Sequence, residues 1–156
     1  MTHFAHRAGM RLALAMTIAA FAAPSFATDI SSLIASAKGG DAKAQFDLGN
    51  AYMKGEGVNV DVARGVKWCR AAAYQGYTPA QSQLALKYAS GDGVSKNNIE
   101  SEKWMVLAVS ADAHYQSVET MVEGRMTRRE LRKGHAAAAQ WKIDHAVQEP
   151  IKVADQ

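Results

Sequence analysis

The strongest constraint on the fold is a set of residues that recurs with a fixed spacing of 36 positions. The recurring pairs are Ala44/Ala80, Leu48/Leu84, Tyr52/Tyr88, Gly55/Gly91, Val58/Val94 and Trp68/Trp104. A fixed period of this length is typical of repeat proteins, in which each unit is one supersecondary element that packs on the next. The sequence therefore predicts a short stacked array.

Each copy has the pattern of two helices joined by a glycine loop. Ala44, Leu48 and Tyr52 lie four residues apart, on one face of a first helix. Gly55 and Gly57 are expected to end this helix, because glycine readily adopts the left-handed conformation found at helix ends. The second copy repeats this arrangement.

A second helix is predicted in each copy after a capping residue. Asp61 and Asn97 are polar residues of the type that caps helix N-termini. Trp68 and Trp104 follow beside small residues, an arrangement that lets two helices interdigitate, so we expect both rings in the core. The prediction is an all-α fold, a short α-solenoid of antiparallel helix pairs.

These residues resemble the Sel-one-like repeat (SLR) family, a relative of tetratricopeptide repeats. The first copy has the family's residues at Ala44, Leu48, Gly49, Tyr52, Gly55, Gly57, Val58, Asp61, Trp68, Ala72, Ala73 and Gly76. Gly65 departs from it, since the family has alanine there. The second copy differs at Ala85, Asn97, Ser101 and Asp112. The resemblance covers residues 44 to about 112 and implies a solenoid that binds other proteins, often in envelope assembly, signalling or host contact.

Residues 1–27 are interpreted as a signal peptide. Arg7 and Arg11 give a basic start, an apolar run follows, and Ser25 and Ala27 are small residues at the positions of a cleavage site. The apolar run is shorter than the ~20 residues that span a bilayer. We therefore expect a periplasmic or secreted protein with no membrane span in the mature chain.

The repeat domain is predicted to occupy residues 28–148. It divides into a half-repeat at 29–40, full repeats at 41–76 and 77–112, and C-terminal capping helices at 113–148, with a frayed tail at 149–156. Terminal helices of this kind cover the exposed faces of a solenoid. Thr127 and Glu130 form a capping-box pattern that opens the last helix.

The charge balance does not indicate a nucleic-acid partner. Without Arg7 and Arg11, the 18 basic residues become 16, against 15 acidic ones. The pI near 9.0 belongs to the precursor, and a nearly neutral mature chain has no general attraction for nucleic acid.

No residue pattern indicates catalysis, and no cofactor is expected. Cys69 is the only cysteine, and it occupies an apolar repeat position, so we expect it to be buried. His135 and His145 are ten residues apart, too far to ligate one metal from one helix, so no metal site is predicted. Glu100 and Glu102 fit capping or solvent-facing positions as well as any acid–base role.

The predicted binding surface is the concave face, which the first helix of each repeat lines. Its polar residues away from the apolar stripe include Asp47, Asn50, Lys54, Gln83 and Lys87. Each one alone is expected to serve solubility, but together they form a groove for a protein partner.

A basic cluster at the start of the last helix is a second candidate surface. It contains Arg125, Arg128, Arg129, Arg132 and Lys133. Cations at a helix N-terminus oppose the helix dipole, so we select Arg128 and Arg132 as candidate contacts for an acidic partner. A solvated charged face is the simpler interpretation.

Two function classes remain. The preferred one is a non-catalytic interaction module, acting as an adaptor, assembly factor or regulator. The alternative is an envelope enzyme or ligand-binder acting on β-lactams or peptidoglycan. Some secreted members of the family carry a disulfide in every repeat and have been linked to β-lactams, and the lone cysteine here lacks that pattern. Turnover of a chromogenic β-lactam would support the alternative.

The signal-peptide interpretation predicts a processed chain. Intact-mass measurement on the periplasmic fraction is expected to find a protein that begins at Thr28, because cleavage follows Ala27. A chain that keeps Met1 and stays in the cytoplasm would contradict this prediction.

Overall fold

The computed structural model describes residues 26–146, and within this range the chain forms seven α-helices, one 3-10 turn and no strand. The helices are α1 (Phe26–Lys38), α2 (Ala42–Lys54), α3 (Val62–Tyr74), α4 (Thr78–Ser90), α5 (Asn98–Ala111), α6 (Gln116–Glu123) and α7 (Arg128–Ala146), with the turn at Ala113–Tyr115. The predicted all-α fold is confirmed. Apart from Phe26 and Ala27, the predicted signal peptide lies outside the described residues, as does the tail at 149–156.

Consecutive helices pack on one another in chain order from α1 to α5. The first full repeat is the pair α2 and α3, and the second is α4 and α5. Beyond the repeats, α5 contacts the 3-10 turn, α6 and, most extensively, α7. The result is a stack in which α2 and α4 are first helices, α3 and α5 are second helices, and terminal helices lie at both ends. Among residues 26–146, no helix combines the length and apolar character that crossing a bilayer requires.

The glycine loops end the first helices as predicted. Gly55 has φ 79° and Gly91 has φ 80°, both in the left-handed region that side-chain-bearing residues avoid. Their backbone N–H groups donate to the carbonyls of Ala51 and Lys87. The two loops therefore close in the same way, 36 residues apart.

Side-chain caps open the second helices. Asp61 accepts a hydrogen bond from the backbone N–H of Arg64, and Asn97 accepts one from Glu100. Each bond satisfies an N–H that has no partner inside the helix. The sequence prediction of both caps is confirmed.

A buried glutamine joins each repeat to the unit before it. Gln45 Nε2 donates to the carbonyl of Ala37 at 3.1 Å, and Gln81 Nε2 donates to Ala73 at 3.3 Å. Both amides are buried, where an unmade hydrogen bond would be costly. This recurring bond sets the position of each first helix against the preceding second helix.

Helices α2 and α3 approach closely where two glycines face each other. A Cβ on Gly49 would lie 2.7 Å from Cys69 Sγ, and one on Gly65 would lie 2.6 Å from the carbonyl oxygen of Gly49. In the second repeat the equivalent residues are Ala85 and Ser101, and Ser101 Oγ donates to the Ala85 carbonyl at 2.8 Å. Position 65 is therefore glycine, and not the alanine of the family pattern, because there is no space here for a methyl group. Cys69 is buried beneath this crossing, as predicted.

The terminal segments differ from the prediction in detail. Helix α1 begins at Phe26, three residues before the expected half-repeat. The helix expected from Ala113 starts as a 3-10 turn, because the Asp112 side chain accepts from the N–H of His114 and holds the tighter turn. The capping box is confirmed, since Thr127 N donates to Glu130 at 2.8 Å and Glu130 N donates to Thr127 Oγ1 at 3.3 Å.

The two repeat tryptophans are buried to different degrees. Trp104 is 1% exposed and makes edge contacts with Tyr74 and Trp141, at centroid distances of 5.1 and 6.0 Å. Trp68 is only half-buried and packs against the smaller cluster that includes Leu48. The prediction of a core ring is therefore confirmed for Trp104 and correct only in part for Trp68. Trp104 is more buried than Trp68 because Trp141 of α7 packs against its ring.

Replacing each tryptophan tests this difference. Trp104→Ala is expected to lower the free energy of unfolding by about 3–5 kcal/mol, as truncation of large core aromatics does. Trp68→Ala is expected to cost less, because part of its ring is already in water. Urea unfolding of both variants measures the two losses, and equal losses would contradict this account.

Candidate functional site

Three of the predicted binding residues line a pocket between α1 and α2. Asp47, Asn50 and Lys54 come from α2, and Ile30 and Leu33 from α1 supply an apolar wall. The pocket has a volume of about 560 Å³. Since α2 is a first helix, these residues face the side on which the sequence predicts a groove.

The other two groove residues line a second pocket, between α4 and α6. Gln83 and Lys87 lie beside the exposed apolar side chains of Leu86 and Met121, in a volume of about 700 Å³. Arg125, which follows α6, also lines this pocket. Helix α6 therefore extends the surface beyond the two repeats.

A hydrogen bond joins the two pockets. Gln83 Nε2 on α4 donates to Asn50 Oδ1 on α2 at 2.8 Å, and Asn50 lines the first pocket while Gln83 lines the second. We call the combined surface the first-helix groove. Its residues are Asp47, Asn50, Lys54, Gln83, Leu86, Lys87 and Met121.

Charges in the first-helix groove are paired locally. Asp47 accepts from Lys43 Nζ at 2.6 Å, Lys54 Nζ lies 3.6 Å from Glu56, and Lys87 pairs with Asp92. The exposed pairs Lys43–Asp47 and Lys54–Glu56 add little stability, but all three pairs lower the net charge that the groove presents. Hydrogen bonding and apolar contact are then its main means of recognition.

The structure does not bring Arg128 and Arg132 into the first-helix groove. Both are exposed in the first turns of α7, and neither lines either pocket. Of the basic cluster, Arg125 is the residue that lines the α4–α6 pocket. Any contact made by Arg128 and Arg132 is therefore separate from these pockets.

Cys69 is not suited to nucleophilic chemistry. Its side chain is fully buried, and burial raises the pKa of the thiol from 9.0 to about 12, with a small opposing effect from Lys87. The thiolate is the reactive form, so the only cysteine of the chain stays protonated at neutral pH.

A cluster of titratable residues on α5, α6 and α7 was missed by the sequence analysis. Glu102 is completely buried, so a capping or solvent-facing position is wrong for this acid. His135 Nε2 lies 3.0 Å from Glu102 Oε1, and Glu123 completes a set of three potential ligand atoms within 4.8 Å of one another. We call these three residues the Glu102 cluster.

Gly134 explains why Glu102 is buried. A Cβ on Gly134 would lie 2.3 Å from both Cβ and Cγ of Glu102, so only glycine lets α7 cross α5 here. Glycine inside a helix costs roughly 1 kcal/mol relative to alanine. An interior glycine next to His135 was the one sequence signal that could have indicated this close approach.

Burial dominates the electrostatics of the cluster. The pKa of Glu102 is raised from 4.5 to about 7, and desolvation by burial is the largest cause. His135 opposes this rise, and the neighbouring acids Glu123 and Glu119 add to it. His135 Nε2 lies 3.0 Å from Glu102 Oε1, and no other described residue donates a hydrogen bond to either carboxylate oxygen of Glu102.

Stacked antiparallel helix pairs with a groove along their first helices define an α-solenoid repeat protein. The chain contains two Sel1 repeats, at residues 42–77 and 78–112. It therefore has the SLR fold that the sequence resemblance implied.

Two solved structures support this assignment. A protective antigen present in uropathogenic Escherichia coli strains, which displays an SLR fold, matches with a TM-score of 0.72 and 25% identity over 83% of this chain and 31% of its own. A Sel1 repeat protein from Oxalobacter formigenes matches with a TM-score of 0.57 and 29% identity over 76% of this chain and 51% of its own. This chain thus spans about a third and about half of these two proteins. No protein of curated function matches it.

The buried carboxylate predicts a specific pH dependence of stability. Since the folded-state pKa of Glu102 lies above the unfolded value, the native chain holds a proton that the unfolded chain releases between pH 4.5 and about 7. The contribution of Glu102 to the free energy of unfolding is therefore most favourable below pH 4.5 and is lost as the pH rises to about 7. This loss amounts to about 3 kcal/mol at most.

Glu102→Gln is expected to remove this loss, because glutamine has the same shape and no charge. Urea unfolding in EDTA at pH 5 and pH 8 measures the change, with exposed Glu56→Gln as the control. Parallel pH profiles for wild type and Glu102→Gln would contradict the prediction.

Proposed function

We propose that this chain is a non-enzymatic protein-interaction module of the periplasm or the secreted space, and that it holds a short segment of another protein in the first-helix groove. Sel1 repeats imply protein binding, and proteins built from them are generally interaction scaffolds without enzymatic activity. The observation that carries the proposal is the pair of pockets along the first helices, which the Asn50–Gln83 hydrogen bond joins. The N-terminal sequence pattern supports the location.

The chemistry of the groove favours a segment with both apolar and polar side chains. Leu86 is 39% exposed and Met121 is 60% exposed, and methionine adapts well to varied apolar surfaces. Asn50 and Gln83 retain further donor and acceptor capacity. A groove that runs past only two first helices, α2 and α4, suits one helix or one extended peptide.

The basic cluster supports a second contact with an acidic partner. Arg128 and Arg132 are exposed at the start of α7, where the helix dipole does not favour cations. Charges at the rim of an interface mainly speed association. An acidic stretch beside the bound segment would therefore be steered to this end of the molecule.

Met121→Ser tests the groove, and Ile143→Ser is its matched control. The two side chains are 60% and 59% exposed, but Met121 lines the α4–α6 pocket whereas Ile143 lies on α7 and lines neither groove pocket. After crosslinking in the periplasm identifies the partner, Met121→Ser is expected to weaken binding at least about fivefold, as loss of a buried apolar contact does. Ile143→Ser is expected to bind normally, and equal affinities for the two variants would exclude this groove.

Arg128→Glu combined with Arg132→Glu tests the basic cluster. The double variant is expected to slow association and to reduce its salt dependence, with little change in stability. Surface plasmon resonance at low and high salt measures both effects. Association that is unchanged at low salt would show that the cluster is only a solvated face.

A further inference from the structure

The Glu102 cluster contains a buried carboxyl group whose one basic neighbour among the described residues, His135, reaches only Oε1. Both oxygens of Glu102 are buried and lack hydrogen-bond partners among the described residues. Such groups are rare in folded proteins, and an ion is one of the few physical explanations for one. Burying a carboxylate without compensation is also strongly unfavourable.

The surroundings of Glu102 add negative charge. Glu119 is buried and accepts a hydrogen bond from Gln116, so it already has a partner. Glu123 lies closer to the surface, and His135 is the basic group that contacts Glu102. Three acids and one imidazole meet where α5, α6 and α7 converge, and this arrangement favours a divalent cation.

The ligand types select the class of cation. An imidazole nitrogen with two carboxylates suits Zn²⁺ and related transition metals, whereas Mg²⁺ and Ca²⁺ prefer oxygen ligands. Ligand atoms around a tetrahedral zinc lie about 3.3 Å apart. Glu102 Oε1 and His135 Nε2 are already 3.0 Å apart, and all three ligand atoms lie within 4.8 Å.

We propose that Glu102, Glu123 and His135 form a binding site for Zn²⁺ or a similar divalent transition metal. The side chain of His135 is 54% exposed, so the site is open to solvent on one side and water can fill a fourth position. The ion enters from this side and neutralises the buried carboxylate.

Metal binding here would join the C-terminal helices to the second repeat. Glu102 belongs to α5, Glu123 to α6 and His135 to α7. Helix α6 also supplies Met121 and Val122 to the α4–α6 pocket. The ion therefore holds in place a helix that forms one wall of the first-helix groove.

Calorimetric titration of the full chain with Zn²⁺ tests the site. Wild type is expected to bind one Zn²⁺ tightly, and Glu102→Gln, Glu123→Gln and His135→Gln are each expected to bind it at least about tenfold more weakly, because even indirect disturbance of a metal site costs 10–100-fold. His114→Gln, at an exposed histidine of the 3-10 turn, and Glu56→Gln are expected to match wild type. His3 and His6, in the predicted signal peptide, are present in every variant, so any zinc that they bind is the same in each titration.

Thermal unfolding gives a second readout. Zn²⁺ is expected to raise the melting temperature of wild type and of His114→Gln, because an ion that binds only the folded state stabilises it. It is expected to have no such effect on Glu102→Gln, which keeps the shape of the side chain and folds. Mg²⁺ at the same concentration is expected to change none of these curves.

Two results would overturn the proposal. One is the absence of specific Zn²⁺ binding by wild type. The other is equal Zn²⁺ affinity in wild type and in all three ligand variants, which would assign the binding to histidines elsewhere on the chain.

Discussion

The rest of the structure depends on the coverage of α5 from two sides. Its residues Trp104, Met105, Leu107 and Ala108 are almost fully buried, between α4 of the same repeat and α7 beyond it. One helix pair cannot bury its own apolar faces, so a repeat is stable only when a neighbour covers it. With two full repeats, the terminal helices supply that cover, and Trp141 on α7 completes it over Trp104.

The packing of α7 on α5 also buries the carboxyl group of Glu102, which is energetically unfavourable. Gly134 brings α7 so close to α5 that Glu102 loses all contact with water. An apolar residue at this position would avoid the cost of burying a carboxylate. A chain selected for stability alone has no physical reason to place an acid there, and this is why the Glu102 cluster stands out from the paired charges on the surface.

Helix α6 links the two candidate sites. Met121 lines the first-helix groove, and Glu123, two residues later, belongs to the Glu102 cluster. Helix α6 has only 8 residues, too few to be stable without tertiary packing. Whatever holds Glu123 in place therefore also sets the position of Met121, and the shape of the groove depends on the packing of the C-terminal helices.

Residue spacing and local chemistry determined the repeat architecture by themselves. The left-handed glycines, the caps at Asp61 and Asn97 and the capping box at Thr127 each depend on residues only a few positions apart. The period of 36 is visible directly in the spacing of like residues, so the sequence predicts all of these features correctly. Only the tertiary structure decided that Trp104 is more buried than Trp68, that Asn50 contacts Gln83, and that Glu102 lies beneath Gly134. These features depend on which helix covers which, and the C-terminal helices lie beyond Asp112, where the repeat pattern ends and no longer predicts their packing.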